Sequence, residues 1–277
     1  MKTNFEVRYA AHPQDVQNYD TKRLRKDFLI ENVFSNNEVN LVYSHYDRLV
    51  IGGIKPVNNS VVLESPSFFS TEYFLQKKEL GIINVGGDGT VTAGGEKYKL
   101  ENKDALYLGS GIKDVFFESD NPENPAKFYL NACIAHKELP AKLVKFVDAP
   151  ILELGTNEAC NKRKLYQHIV PHTVETCQLM MGITSPEPGN SWNTMPAHVH
   201  ELRMEAYFYF DIPKDNAVAH IMGQPQETRL LWISNDQVAI SPPWSIHCAS
   251  GTSPYNFIWG MAGDDDPIQP YPIKNLR

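Results

Sequence analysis

Apolar and polar residues alternate in short bursts along most of this chain, and turn-forming Gly, Pro, Asn and Asp separate the bursts. Residues 41–53, 81–87, 89–100, 104–111, 126–135, 177–183, 205–212, 237–243 and 256–262 all read this way. A period of two over four to eight residues places alternate side chains on one face and marks a half-buried strand. Many short strands in succession predict an all-β sandwich or barrel. One stretch departs from this rule. Residues 20–32 carry Leu24 and Phe28 four apart, which predicts a short helix.

The strand pattern repeats once, weakly. The run beginning at Asp104 aligns with the run beginning at Asp236, and continuing without gaps sets Val115 opposite His247. The run beginning at Lys77 aligns with that beginning at Arg203, which sets Glu79 opposite Glu205 and Glu72 and Phe74 opposite His198 and His200. The expectation is a duplicated all-β fold with a few short helices. A degenerate first barrel would span residues 1–140 and a metal-binding second barrel residues 141–277. The boundary is sought between His136 and Leu154, a stretch that includes Pro140 and Pro150.

Composition narrows the picture. Apolar residues make up 42% of the chain and charged ones 21%, enough apolar surface for soluble domains with cores of their own. A net charge of −7 argues against general nucleic-acid binding. No apolar run approaches the roughly 20 residues that span a bilayer. The first ten residues lack the apolar core of a secretory signal. Cys133, Cys160, Cys177 and Cys248 show no Cys-x-x-Cys spacing and are expected to be free thiols in a cytoplasmic protein. Alternation from His247 turns Cys248 away from any site that His247 joins.

The sharpest chemical signal is His198, His200 and Glu205, in the spacing His-x-His-x4-Glu, with His247 42 residues further on after a Pro-Pro turn. Histidines two apart on a strand face the same side, so both imidazoles can reach one ion at about 2.0–2.1 Å. The Glu opens a fresh apolar run and His247 comes from another strand. Three imidazoles and one carboxylate suit zinc, with iron, manganese or nickel as alternatives, better than calcium or magnesium. Counting forward from Glu205 puts Tyr207 and Tyr209, and with them Asp211, on the ligand side. The two tyrosines are candidate acid–base groups. Arg203 and Arg229 lie nearest the motifs and are candidates for holding an anionic substrate, because a guanidinium can grip a carboxylate with two parallel hydrogen bonds. His220 sits in an apolar strand and reads as a hydrogen-bonded core residue. Trp244, Phe257 and Trp259 either wall a pocket or simply pack.

The His-x-His-x4-Glu segment with its distant Pro-x-x-x-x-His resembles the two metal motifs of the cupin superfamily, except that Trp244 stands where glycine is common. Residues 193–210, 222–229, 240–247 and 256–263 resemble the 5-keto-4-deoxyuronate isomerase family, as do residues 42–56, 79–91 and 104–117 of the first half. The resemblance implies a bicupin, each copy a jelly-roll barrel, assembled as a homohexamer with zinc on His198, His200, Glu205 and His247. It implies a ketol-isomerase of pectin breakdown that acts on a small deoxy-keto-uronate. An iron cupin dioxygenase and a non-catalytic sugar-binding cupin are the alternative readings of the same ligand set.

Overall fold

Strands account for nearly all of the regular structure, as the alternation predicts. The structure is a computed structural model, and it describes residues 2–264 and 269–277. The chain divides into two compact units. The first comprises residues 1–8, 32–150 and 167–181, and the second residues 9–31, 151–166 and 182–277. A single cut after residue 140 does not describe this division. Residues 9–31 pack with the second unit and residues 167–181 with the first.

In the first unit a seven-stranded sheet has the order Lys2–Arg8, Glu38–Ser44, Val50–Ile54, Phe128–Ile134, Lys78–Asn84, Ala105–Leu108, Lys142–Val144. A four-stranded sheet runs Val61–Val62, Phe116–Ser119, Gly89–Ala93, Glu96–Leu100. Leu80, Ile82, Leu106, Leu108 and Leu130 from the larger sheet meet Val91, Val115 and Phe117 from the smaller in one apolar core. That core is built of hydrophobic side chains, so the interior of this barrel is largely hydrocarbon.

In the second unit the seven-stranded sheet runs Ile151–Leu154, Arg163–Ile169, Met180–Pro186, Asn256–Gly263, Arg203–Phe210, Gln237–Ser241, Leu29–Ile30. The five-stranded sheet runs Glu227–Ile233, Val218–Gln224, His247–Gly251, Trp192–Val199, Gln269–Tyr271. The predicted helix is Thr21–Phe28. The Asp20 carboxylate accepts from the Arg23 N–H at its start, and Leu24 and Phe28 are buried. Every residue of Arg203–Phe210 is buried. Tyr207, Tyr209, His220 and His247 gather on one face of it, so this barrel has a polar and aromatic interior.

The matching strand orders bear out the duplication, and they correct one register. Leu80 pairs with Leu108 in the first unit and Glu205 with Ser241 in the second. Leu80 and Leu108 face the first core, as Glu205 and Ser241 face the second interior. Leu80, not Glu79, therefore takes the interior-facing side that Glu205 takes. Glu79 points to the opposite face. There its carboxylate accepts the N–H groups of Cys177, Gln178 and Leu179 at 2.7–2.8 Å and the Tyr107 hydroxyl at 2.7 Å. Val115, just before the strand Phe116–Ser119, packs into the first core, and His247, which opens its own strand, faces the second interior. The first unit's counterpart of Trp192–Val199 is only Val61–Val62, too short for a His-x-His pair. Glu72 is exposed, and Phe74 packs into the core.

Candidate metal centre

A bulge sets the site. The ladder between Trp192–Val199 and His247–Gly251 runs Trp192 with Ser250 and Asn193 with Ala249, then jumps so that His198 lies opposite His247. Extra residues on one strand re-aim the side chains that follow, a frequent device beside functional sites. His200 lies just past the end of that strand. Glu205 enters from the neighbouring sheet, at the start of Arg203–Phe210. His200, Glu205 and His247 are buried, and His198 is partly buried.

Four donor atoms converge. Nε2 of His198 lies 3.2 Å from Nε2 of His200 and 3.1 Å from Nε2 of His247. Oε2 of Glu205 lies 3.4 Å from His200 Nε2 and 3.1 Å from His247 Nε2. One donor atom from each of the four residues lies within 4.8 Å of every other. Donors about 2.05 Å from a shared ion stand roughly 2.9 Å apart at octahedral corners and roughly 3.4 Å apart at tetrahedral ones. The four separations of 3.1–3.4 Å fall between these limits.

The buried Glu205 Oε2 has no well-formed hydrogen bond, although two imidazole nitrogens are close to it. Facing lone pairs repel, and an orphaned buried carboxylate oxygen is costly, so a cation at the centre is what this arrangement fits. Burial, reinforced by His247, lowers the His198 pKa to about 3, so its imidazole is neutral and its lone pair available. Burial alone would raise the Glu205 carboxyl, but His247 and His200 outweigh it and hold the group below its ordinary value as a carboxylate.

The remote ring nitrogens set the ring orientations. His247 Nδ1 meets Ser241 Oγ at 3.0 Å, and His198 Nδ1 meets the Pro196 carbonyl at 3.3 Å. Both leave Nε2 to face the centre. Arg203 is buried with its Nε 3.4 Å from His200 Nδ1, a long contact that packs the guanidinium behind the ligand. Arg229 is elsewhere. It lies on Glu227–Ile233, ion-paired with Glu227 at 3.3 Å and bonded to the Gln17 carbonyl. Cys248 turns away into a small apolar cluster with Ala197, Val199 and Ile246, as alternation predicts. All four cysteines are free thiols.

Of the two tyrosines, Tyr207 is nearer the cluster. Its ring centroid is 5.2 Å from that of His247, and its hydroxyl is 3.4 Å from Thr194 Oγ1. Phe257 stacks on it at 5.1 Å. Tyr209 lies two residues further along the strand, and its hydroxyl meets His220 Nδ1 at 2.8 Å. Burial pushes both phenols well above their ordinary pKa, so both remain protonated donors at neutral pH. Asp211 lies past the end of the strand, exposed, where it accepts from Asn256 Nδ2. His220 is a buried, hydrogen-bonded residue as expected, but it lines the barrel interior beside the tyrosines. Ser241 escaped the sequence reading because its place across from Glu205 depends on strand register.

Comparison with known proteins agrees with this geometry. Among solved structures, an IolB-like protein from Salmonella typhimurium superposes with a TM-score of 0.68 at 13% identity, over 80% of this chain and 87% of the other. An oxalate decarboxylase variant from Bacillus subtilis gives 0.57 at 12% identity, over 80% and 71%. At those identities the likeness establishes the fold, an all-β bicupin. In sequence, a 4-deoxy-L-threo-5-hexosulose-uronate ketol-isomerase of Bacteroides fragilis is 54% identical over 265 residues, covering 96% of this chain and 95% of its own. One from Lachnoclostridium phytofermentans is 48% identical over 275 residues, covering 98% and 100%. The family model described as KduI/IolB matches residues 28–272, and the chain belongs to that family.

Proposed function

We propose that this protein is a metal-dependent ketol-isomerase acting on 4-deoxy-L-threo-5-hexosulose-uronate, yielding the 2,5-diketo acid 3-deoxy-D-glycero-2,5-hexodiulosonate. The observation that carries this reading is the buried cluster of His198, His200, Glu205 and His247, set in a chain about half identical to such isomerases along nearly its whole length. The donor set favours zinc, with iron, manganese or nickel able to take the same ligands. A bound ion of this kind supplies Lewis-acid polarisation of the two neighbouring oxygens at C1 and C2, which acidifies the C2 hydrogen.

The chain's own groups divide the remaining work. Tyr207, a protonated phenol against His247, suits hydrogen-bond donation to a substrate oxygen whose charge grows during the reaction. Tyr209 and His220 form the next polar layer and hold each other in place. Burial and His247 lower the His220 pKa to about 3, so it is neutral and able to accept or relay a proton. Arg203 packs behind His200, its Nε 3.4 Å from His200 Nδ1. The two exposed acids nearest in sequence, Glu201 and Asp211, make no contribution in this scheme. The same reading makes the protein a cytoplasmic homohexamer of pectin and uronate breakdown.

The test is direct. Purified protein is incubated with the 5-keto-uronate under nitrogen and followed by NMR. The C1 aldehyde signal should give way to that of a ketose methylene. Turnover only in the presence of oxygen would replace the isomerase with a dioxygenase, and no turnover with tight sugar binding would leave a binding protein.

A further inference from the structure

The proposed substrate is an acid, yet neither arginine next to the motifs stands ready to receive it. Arg229 is spent on Glu227 and Gln17, and Arg203 packs behind His200. A third arginine has the required character. Arg163 opens the strand Arg163–Ile169 and is only 8% exposed. Its Nη1 donates to the Asn161 carbonyl at 2.8 Å and its Nη2 reaches toward the Met195 carbonyl at 3.4 Å. No carboxylate pairs with it among the described residues. Two backbone carbonyls leave most of its five N–H donors unused. Buried charges are otherwise paired, and leaving one unpaired is costly enough to call for an anion from outside the chain.

Its surroundings place it beside the cluster. The phenols of Tyr207 and Tyr255, protonated and uncharged at neutral pH, lie close to it, and burial lowers its pKa. Met195, whose carbonyl it approaches, follows Thr194, which touches the Tyr207 hydroxyl, and lies three residues before His198. Tyr255 is fixed by Asn193 Nδ2 at 2.7 Å and by its own bond to the Ser191 carbonyl at 2.8 Å. Tyr207 is thus a neighbour both of the metal ligand His247 and of the unpaired guanidinium. A six-carbon acid with its C1 and C2 oxygens at the cluster carries its carboxylate roughly 5–6 Å from C2, the length of four C–C bonds.

We infer that Arg163 is the residue that binds the substrate carboxylate, making this site selective for sugar acids over neutral sugars. The inference rests on the isomerase reading and assigns one end of its substrate. A bidentate guanidinium–carboxylate contact is among the strongest polar contacts available.

The experiment compares wild-type protein with Arg163→Met and Arg163→Lys on two substrates, the 5-keto-uronate and its C6 amide. Wild type should prefer the acid. Arg163→Met should raise KM for the acid roughly 10–100-fold, leave KM for the amide within about twofold and so erase the preference. Arg163→Lys should recover part of it, since an ammonium keeps the charge without the fork. An unchanged KM for the acid in Arg163→Met overturns the assignment. So does an equal loss on both substrates with a lowered unfolding midpoint, which would make Arg163 a clamp on the carbonyls of residues 161 and 195. If Arg163→Met fails to fold, a wild type that shows no preference between acid and amide is equally decisive against it. Failure of the isomerase reading appears separately, as a wild type inactive on both substrates. Calorimetric titration with galacturonate then decides on Arg163 alone, because equal affinity for wild type and Arg163→Lys would exclude the contact.

Discussion

At the residue scale, what the sequence reveals depends on whether a group acts through its own chemistry or through its surroundings. That His198, His200, Glu205 and His247 gather in one cluster was readable because imidazoles at strand spacing face one side and suit a shared ion. Arg163 was not, because its meaning lies in the acid that is missing around it, which only packing reveals. The ligand assignment gives a direct expectation. His247→Ala removes the donor that sits 3.1 Å from both His198 and Glu205, so the purified variant should retain less than about a tenth of the wild-type metal by elemental analysis. Full metal content would sink the assignment. His220 gives a second expectation, through pH. Burial and the nearby His247 hold its pKa at about 3 against 6.5 for the free side chain. The folded state therefore keeps it neutral while the unfolded chain takes up a proton below pH 6.5. Its contribution to stability is present above pH 6.5 and is lost as pH falls toward 3, at up to about 1.4 kcal/mol per unit. Between pH 7 and pH 5, wild type should lose about 2 kcal/mol more unfolding free energy than His220→Gln in matched urea titrations. Equal losses would show that the native state admits the proton.

At the scale of elements, alternation located the strands and the helix at residues 21–28, because period and side-chain type are local properties. Register is not local. Aligning the two halves on their turn residues missed by one at Lys78–Asn84, and with a period of two a one-residue slip exchanges the faces of a strand. The carboxylate that looked like a vestigial ligand, Glu79, is on the far face as a structural tie. It gathers three consecutive backbone N–H groups, the Tyr107 hydroxyl and a Cys133 Sγ contact at 3.4 Å. A carboxylate that accepts several donors at once is worth more than an ordinary hydrogen bond, and an amide in its place presents an N–H₂ to groups that are themselves donors. Glu79→Gln should destabilise the protein by on the order of 3 kcal/mol in chemical denaturation while leaving metal content and KM unchanged. A variant of wild-type stability that has lost metal would overturn this structural role.

At the scale of the whole molecule, the two units are one topology with two kinds of interior, hydrocarbon in the first and polar ligands in the second. The interleaving of segments 9–31 and 167–181 between them could not be read from the sequence, since exchanged segments keep the same local pattern as resident ones. Among the described residues His198, His200, Glu205 and His247 are the group able to hold an ion, and the first core, lined by side chains such as Leu80 and Val115, offers no comparable set of donors. Elemental analysis should therefore approach one metal per chain and not two. With one ion, the route of the C2 hydrogen to C1 becomes a question about the protein groups around it. Tyr207 and Tyr209 are held protonated by burial and cannot readily remove that hydrogen as bases, whereas the neutral His220 keeps a buried Nε2 with no partner. A proton carried by such a group, shut away from solvent, exchanges slowly but not at zero rate. Isomerisation in D2O should accordingly place partial deuterium at C1, and substrate deuterated at C2 should react more slowly. Complete retention of the C2 hydrogen, even over many turnovers and in reverse, would point to direct hydride transfer between the two carbons, which needs no base. In that case His220→Gln should also leave kcat untouched. Partial exchange with a kcat that falls in His220→Gln would instead identify the barrel's buried histidine as the group that moves the proton.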